Sequence, residues 1–240
     1  MKKTIPFSFF QMHPKAILIQ WSALPSDSLL NEILTVKTLL QKKIPEIEII
    51  TQGYQSLLLL WKKNIVHFEA EKDRISALYM KISSFKIPAI KHWKIPVCYH
   101  PEFAPDLKEL SKNLDLNEKQ LIDLHTKNSY RVQFIGFLPG FLYLSGLDEQ
   151  LTFPRKSQPA AKVSAGAVGI GGGQTGIYPI ESPGGWHIIG NTPIALFQPE
   201  AKSPCFAKSG DRISFESISV DEYNKIKQLV AKGKYRPKYD

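Results

Sequence analysis

The sequence predicts two domains of different class: a small α+β domain over residues 1–92 and a mostly-β domain, a barrel or sandwich, over residues 93–240. Three observations predict this. Before residue 90, strand-like and helix-like runs alternate as ββαββα, the pattern of an antiparallel sheet with helices on one face. From Tyr130 onward the apolar runs are short and bounded by Gly and Pro, as in all-β domains. Composition changes too: twelve of the fifteen glycines lie between Gly136 and Gly190, whereas the first 130 residues hold only Gly53. A chain of 240 residues with 43% hydrophobic content can bury a substantial core.

Each element carries its own signal. FSFFQ (7–11) and AILIQW (16–21) read as strands. SDSLLNEILTVKTLLQKKI follows, with Ser26 or Ser28 as N-cap and Leu29, Ile33, Val36, Leu39 and Leu40 at helical spacing. EIEIIT (46–51) and SLLLLW (56–61) are two further strands, and a second helix runs over roughly 66–83. KIPVCY (94–99) opens the second domain, followed by two short helices within 104–126, the second capped by Asn117. The remaining strands are RVQFIGF, YLSGL, KVSAGAVGI, GIYPI, WHIIG, PIALFQP and DRISFES, and a helix follows them.

Several classes are disfavoured at once. The start, MKKTIPFSFFQMHPKAILIQW, is interrupted by Pro6, Gln11, His13, Pro14 and Lys15 and has no small-residue cleavage site, so it reads as β-structure and not as an export signal. No apolar run approaches the roughly 20 residues that span a bilayer. Cys98 and Cys205 are far apart with no Cys-x-x-Cys pair, which argues against a disulfide framework or a zinc site and fits a reduced, cytoplasmic location. A net charge of +9 raises the question of nucleic acid, but the lysines are scattered. Two short helices about a turn resemble a helix-turn-helix; the helix Asn117 to Thr126, however, offers Glu118, Lys119, Gln120 and Asp123, a poor reader of phosphates or bases.

The stretch GIGGGQTGIYPIESPGGW (169–186) is the most unusual in the chain. Residues 171–176 match G-x-G-x-x-G, yet that signature has meaning only where it opens a helix, and Pro179 and Pro183 follow. With no Gly-Lys-Ser/Thr, a P-loop is excluded as well. What remains is a β wall in which glycines permit tight turns and close backbone approach. Gln174, Thr175, Tyr178, Glu181, Ser182, Trp186 and His187 give it a density of polar and amphipathic side chains suited to binding. H-E-x-x-H and G-x-S-x-G are absent. The six histidines are isolated. His125 stands at a helix end, where it complements the dipole, and His187 beside Trp186 is a functional candidate. Arg155, in FPRKSQP, is placed to grip a carboxylate or phosphate.

FIGFLPGFLYLSGLDEQLTFPR (134–155), AGAVGIGGGQTGIYPIESPGGWHIIGNTPIALF (165–197) and SGDRISF (209–215) resemble the family of the 5-oxoprolinase B subunit, allophanate hydrolase subunit 1 and the KipI-type inhibitors of sporulation kinases; VCYHPEFAPDL (97–107) and LHT (124–126) add to the likeness. The resemblance implies that the second domain is a cyclophilin-like β-barrel. It implies ATP-dependent opening of 5-oxoproline to glutamate, together with a KipA-like C subunit and a LamB/YcsF-like A subunit and with no activity in the chain alone. ATP belongs to the assembled complex, and no metal-ligand set is expected in this chain. The alternative implied function is a KipI-like inhibitor that binds a sensor histidine kinase.

Carried over by position, the resemblance makes Gln174, Tyr178 and His125 the catalytic candidates. It makes Pro139, Gly140, Phe141, Tyr143, Arg155, Thr175, Ser182, Gly184, Gly185 and Trp186 the substrate-binding candidates. On this expectation Phe141 and Trp186 pack on the lactam ring, while the Gly184 and Gly185 amides, Gln174 and Tyr178 donate to its carboxylate and developing oxyanion. The chain departs from the family pattern at Ala160 and Asn191, where arginines are usual, and at Ser164 and Ala167, where proline and serine are usual. Those two missing arginines point to altered anion handling.

Overall fold

The computed structural model describes residues 5–82 and 89–240. Residues 1–4, in the stretch that reads as β-structure, and Ser83, where the second helix is expected to end, lie outside the described residues. The chain divides into two compact units, Met1–Ala89 and Ile90–Asp240. Among the described residues no helix is long and apolar enough to cross a membrane.

In the N-terminal unit, β1 (Phe7–His13), β2 (Ala16–Trp21), β3 (Ile47–Gln52) and β4 (Ser56–Trp61) form an antiparallel sheet in the order β1-β2-β4-β3. Strand alternation sends Ile17, Ile19, Trp21, Leu57, Leu59 and Trp61 to one face. There they bury Leu29, Ile33, Val36 and Leu40 of α1 (Asp27–Lys43) and Ile75 and Tyr79 of α2 (Phe68–Met80). Ser26 is the N-cap of α1, its hydroxyl accepting the Leu29 amide at 3.2 Å. Beneath the helices lies Glu32, 2% exposed, whose carboxylate accepts the Trp21 indole N–H at 2.8 Å and the Tyr79 hydroxyl. Burial, reinforced by this carboxylate, pushes the Tyr79 hydroxyl far above its ordinary pKa, so it stays a donor.

The C-terminal unit is built on an eight-stranded sheet. Its strands are β5 (His92–Val97), β6 (Ser129–Ile135), β7 (Leu142–Ser145), β9 (Ala167–Gly171), β10 (Gln174–Ile177), β12 (His187–Asn191), β13 (Arg212–Ser217) and β14 (Lys238–Tyr239). Their order is β12-β9-β10-β7-β6-β13-β5-β14, antiparallel except for the parallel β13–β5 pair. A two-stranded ribbon, β8 (Ala160–Val163) with β11 (Ser182–Gly184), stands apart from it.

One face of the large sheet carries Tyr130, Val132, Leu142, Leu144, Val168, Ile170 and Ile177 into the main core. Leu107 and Leu110 of α3 (Leu107–Asn113) and Leu121 of α4 (Glu118–Lys127) complete it. Asn117 and Gln120 cap α4 reciprocally, each side-chain oxygen accepting the other's backbone amide at 2.9 and 2.8 Å. The two helices that resemble a DNA-binding pair in sequence therefore turn their apolar faces to the core. A last helix, α5 (Val220–Ala231), is capped by Ser219.

The expected closed barrel is not formed. The start of β5 pairs on its outer edge with β14, Trp93 with Tyr239 and Lys94 with Lys238, so that edge is not open to β12. Only beyond it do the sheet ends meet: Cys98 and Asn191 exchange backbone hydrogen bonds at 2.9 and 3.0 Å, a single bridge and not a ladder. PIALFQP, expected as a strand, makes only the isolated Phe197–Cys205 bridge, and prolines at 193 and 199 bound it on both sides.

Candidate functional site

The opposite face of the large sheet explains the glycine-rich stretch. By alternation Gly169 and Gly171 of β9 and Gly176 of β10 turn away from the main core. The indole of Trp186, 4% exposed, lies across them. A Cβ at Gly171 would stand 2.7 Å from Trp186 Cδ1, and one at Gly176 would stand 2.8 Å from Cζ3 and 2.7 Å from the Leu142 carbonyl oxygen. Glycine is required because the ring occupies the space of the side chains. Gly184 is forced in the same way, since its Cβ would collide with the Tyr178 hydroxyl.

Around this indole an aromatic block assembles. Phe141 meets Trp186 edge-on at 5.5 Å and Tyr178 at 5.0 Å; Tyr143 meets Trp186 at 5.9 Å and stacks on Phe134 at 4.3 Å. Val163, Ala167 and Ile188 close it from the ribbon side. Phe141, Tyr178 and Trp186 are buried within the block; Tyr143 is half-exposed and forms its accessible rim. Burial raises the pKa of both Tyr143 and Tyr178, against a smaller lowering influence of Arg155, and for Tyr178 of the Trp186 backbone amide as well, so both hydroxyls remain neutral donors.

Arg155 is held over this block. Its guanidinium carbon lies 5.5 Å from the centre of a Trp186 ring. The loop that carries it is pinned on either side: His187 Nε2–H donates to the Pro154 carbonyl at 3.0 Å, and the Lys156 amide donates to the Gly185 carbonyl at 2.8 Å. Asp106 secures the second clamp, its carboxylate taking the Lys156 ammonium at 2.7 Å and the Ile188 amide at 2.6 Å. The result is an exposed cation at the edge of a rigid aromatic wall, positioned by backbone bonds. Gln174, directly across from Gly171, lies on this same face, while Thr175 points the other way.

His125 lies elsewhere. It is fully buried and stacked on Phe215 at 4.6 Å. Thr175 donates its hydroxyl proton to the Gly169 carbonyl at 2.9 Å, so His125 Nε2–H must donate to Thr175 Oγ1, also at 2.9 Å. Nδ1 then accepts the Tyr99 hydroxyl at 2.8 Å, and the Tyr130 hydroxyl donates to the His125 carbonyl at 2.7 Å. Burial lowers the imidazole pKa to about 3. With both nitrogens engaged in the core, His125 ties α4 to β10 and presents no nitrogen to the aromatic wall.

The structure thus brings Phe141, Tyr143, Arg155, Gln174, Tyr178, Gly184, Gly185 and Trp186 together and places His125 and Thr175 on the core side. Ser182 donates to the carbonyl of Pro183, its neighbour in the ribbon, at 3.2 Å. Pro139 and Gly140 lie in the β6–β7 loop, where Gly140 has φ +86° and its Cβ would stand 2.7 Å from Phe197 Cβ. Two contributors are not marked by the sequence. Asp106 falls within VCYHPEFAPDL without being singled out, and its clamp on Lys156 is 50 residues distant in sequence. Phe137, 64% exposed, adopts φ +69°, a conformation that is costly for a bulky residue, and meets Phe141 edge-on at 5.6 Å.

The fold is similar to part of the Kluyveromyces lactis urea carboxylase: the likeness covers 100% of this chain and 24% of that chain with a TM-score of 0.82, and at 17% identity it is one of fold alone. The chain belongs to the family described as carboxyltransferase domain, subdomain C and D, whose model matches residues 7–207. It is 47% identical over 135 residues to the 5-oxoprolinase B subunit of Bacillus subtilis, covering 56% of each protein, so the match spans just over half of that relative. Against the 5-oxoprolinase B subunit of Haemophilus influenzae it is 41% identical over 152 residues, 62% of this chain and 70% of the relative. A conserved uncharacterized protein of Pyrococcus horikoshii, solved by crystallography, is 36% identical over 90% of this chain and 100% of its own, with a TM-score of 0.54.

Proposed function

We propose that the chain is one component of an ATP-dependent 5-oxoprolinase and that the Arg155 face of the aromatic block receives 5-oxoproline. The observation that carries this reading is the clamped Arg155 over the glycine-seated Trp186, with Tyr143 at the rim of the same block and Gln174 on the same sheet face. The names of the relatives at 41–47% identity support it. 5-Oxoproline is a planar lactam with one carboxylate. Arg155 binds the carboxylate in a forked pair, the half-exposed Tyr143 ring supports the lactam, and the Tyr143 hydroxyl and Gln174 amide donate to its carbonyl oxygen. Trp186, Phe141 and Tyr178 act from behind, holding Tyr143 and Arg155 in place.

ATP would supply the activation of the lactam carbonyl, the overall change consuming one ATP and two waters and releasing glutamate, ADP and phosphate. The glycine run of this chain forms the β9–β10 hairpin and not a strand-to-helix phosphate cradle; in this reading ATP is held by the assembly with LamB/YcsF-like and KipA-like partners. The chain's own contribution is to bind and orient the lactam. NMR titration of the chain with 5-oxoproline, observing the arginine Nε–H and tryptophan indole signals, tests this. Arg155 and Trp186 should shift together, with Trp21, Trp61 and Trp93 unmoved. A titration that shifts neither Arg155 nor Trp186 would count against the site.

A further inference from the structure

A second site lies behind the aromatic block. A cleft of about 360 Å³ opens between the residues just before α3, the β8–β9 turn, β12 and α5. Val163, Ala167 and Ile188 pack on the Trp186 block and also line this cleft, so it is separate from the Arg155 face and shares a wall with it. Its volume is that of a small-molecule site.

The inner surface is fixed by a closed set of bonds. The Tyr223 hydroxyl donates to Asn191 Oδ1 at 2.8 Å, and Asn191 Nδ2–H donates to the Ala165 carbonyl at 2.9 Å, which joins α5, β12 and the β8–β9 turn. Phe103 and Tyr223 pack ring against ring at 4.3 Å and form an aromatic floor. Asn191 thus has both ends of its amide committed to the scaffold. At the rim stand two ammonium groups, Lys162 and Lys227, and one carboxylate, Glu102. Lys162 also faces Glu181 at 3.0 Å, an exposed pair that a ligand can displace at little cost.

Two cations and one anion around a short apolar floor are the charge complement of an acidic α-amino acid, which has two carboxylates, one ammonium and an aliphatic spacer. We infer that this cleft binds a free acidic amino acid of glutamate size, Lys162 and Lys227 taking its carboxylates, Glu102 its ammonium, and Phe103 and Tyr223 its methylenes. The inference stands on the cleft alone and does not require the Arg155 face to bind 5-oxoproline.

Calorimetric titration of the full chain with L-glutamate tests it, with glutarate, which lacks the ammonium, and L-glutamine, which lacks one carboxylate, as comparison ligands. L-Glutamate should bind, and each comparison ligand should bind at least about fivefold more weakly, the worth of one partly exposed charge pair. Lys162→Met, Lys227→Met and Glu102→Gln alter exposed side chains, so the fold survives; each should weaken glutamate by a similar factor, whereas Arg155→Ala should leave it unchanged. No glutamate binding, or binding insensitive to Lys162, Lys227 and Glu102, would overturn the inference. So would binding that is lost in Arg155→Ala. Failure of 5-oxoproline to bind bears on the Arg155 face and leaves this result as it stands.

Discussion

Three consecutive glycines, 171 to 173, should respond to alanine in three different ways. Gly171→Ala puts a methyl 2.7 to 2.8 Å from Cδ1, Cγ and Nε1 of a buried indole, well inside the 3.4 Å at which ordinary contact begins, so the ring or the β9–β10 hairpin must move. Overpacking of this kind costs about 1–3 kcal/mol, and ejection of the indole costs about 3–5 kcal/mol. Gly172 meets nothing within 4 Å but has φ +65°, so Gly172→Ala is a matter of backbone strain alone, about 1–2 kcal/mol. Gly173 has neither a positive φ nor any neighbour nearer than Thr152 Oγ1 at 3.9 Å, so Gly173→Ala should be neutral or stabilising by about 0.4–1 kcal/mol. In a unit of this size each kcal/mol shifts Tm by roughly 2–4 °C. Differential scanning calorimetry should therefore order the three variants as Gly171→Ala below Gly172→Ala below Gly173→Ala. Near-UV circular dichroism should change in the first alone. Equal Tm values for the alanines at 171 and 173 would refute the claim that the glycine run exists to seat Trp186.

Other consequences can be measured independently. Because His125 is held neutral down to about pH 3 in the folded chain and titrates near 6.5 when unfolded, the unfolded state binds the extra proton between these values. Stability should therefore fall as pH falls through this window, by up to about 1.4 kcal/mol per unit from this group, and urea midpoints for His125→Asn should show a shallower slope. In the N-terminal unit, Glu32→Ala leaves the Trp21 and Tyr79 donors without their acceptor in a buried site and should cost about 2–5 kcal/mol by urea denaturation; Tyr79→Phe, which leaves the carboxylate its Trp21 bond, should cost about 1 kcal/mol. Asp106→Ala releases Lys156 and the Ile188 amide, so it should weaken 5-oxoproline binding about tenfold through loss of order at Arg155 while Arg155 itself is retained. Normal affinity in that variant would show that the clamp does not position the arginine.

The sequence disclosed local structure better than closure. AILIQW and SLLLLW were legible as short, nearly continuous apolar runs of strand length, and they are β2 and β4. Ser26 and Asn117 were legible because capping is a local hydrogen bond, and both caps are present. The barrel was not legible: whether the sheet closes depends on β14, two residues more than 140 positions from the strand edge they occupy. PIALFQP failed for a different reason, since its apolar residues are buried as irregular chain and not as a ladder. Within the site, the glycines, Trp186 and Arg155 stood out by type. The clamp of Asp106 on Lys156 did not, because it joins residues 50 positions apart and no local pattern marks it. His125 shows the limit most clearly: its position at a helix end suggested a dipole partner, and only the approach of Thr175 and Tyr99 makes it a neutral bridge in the core.

The most direct test is ATP-dependent release of glutamate from 5-oxoproline by the chain assembled with the proposed LamB/YcsF-like and KipA-like partners, comparing Arg155→Ala with the unaltered chain. Turnover should require this chain and fall by about two orders of magnitude when the clamped cation is removed, about 3 kcal/mol for a charged hydrogen-bonded pair. Full turnover by the Arg155→Ala assembly, or none by an intact assembly of all three, would contradict the proposed function.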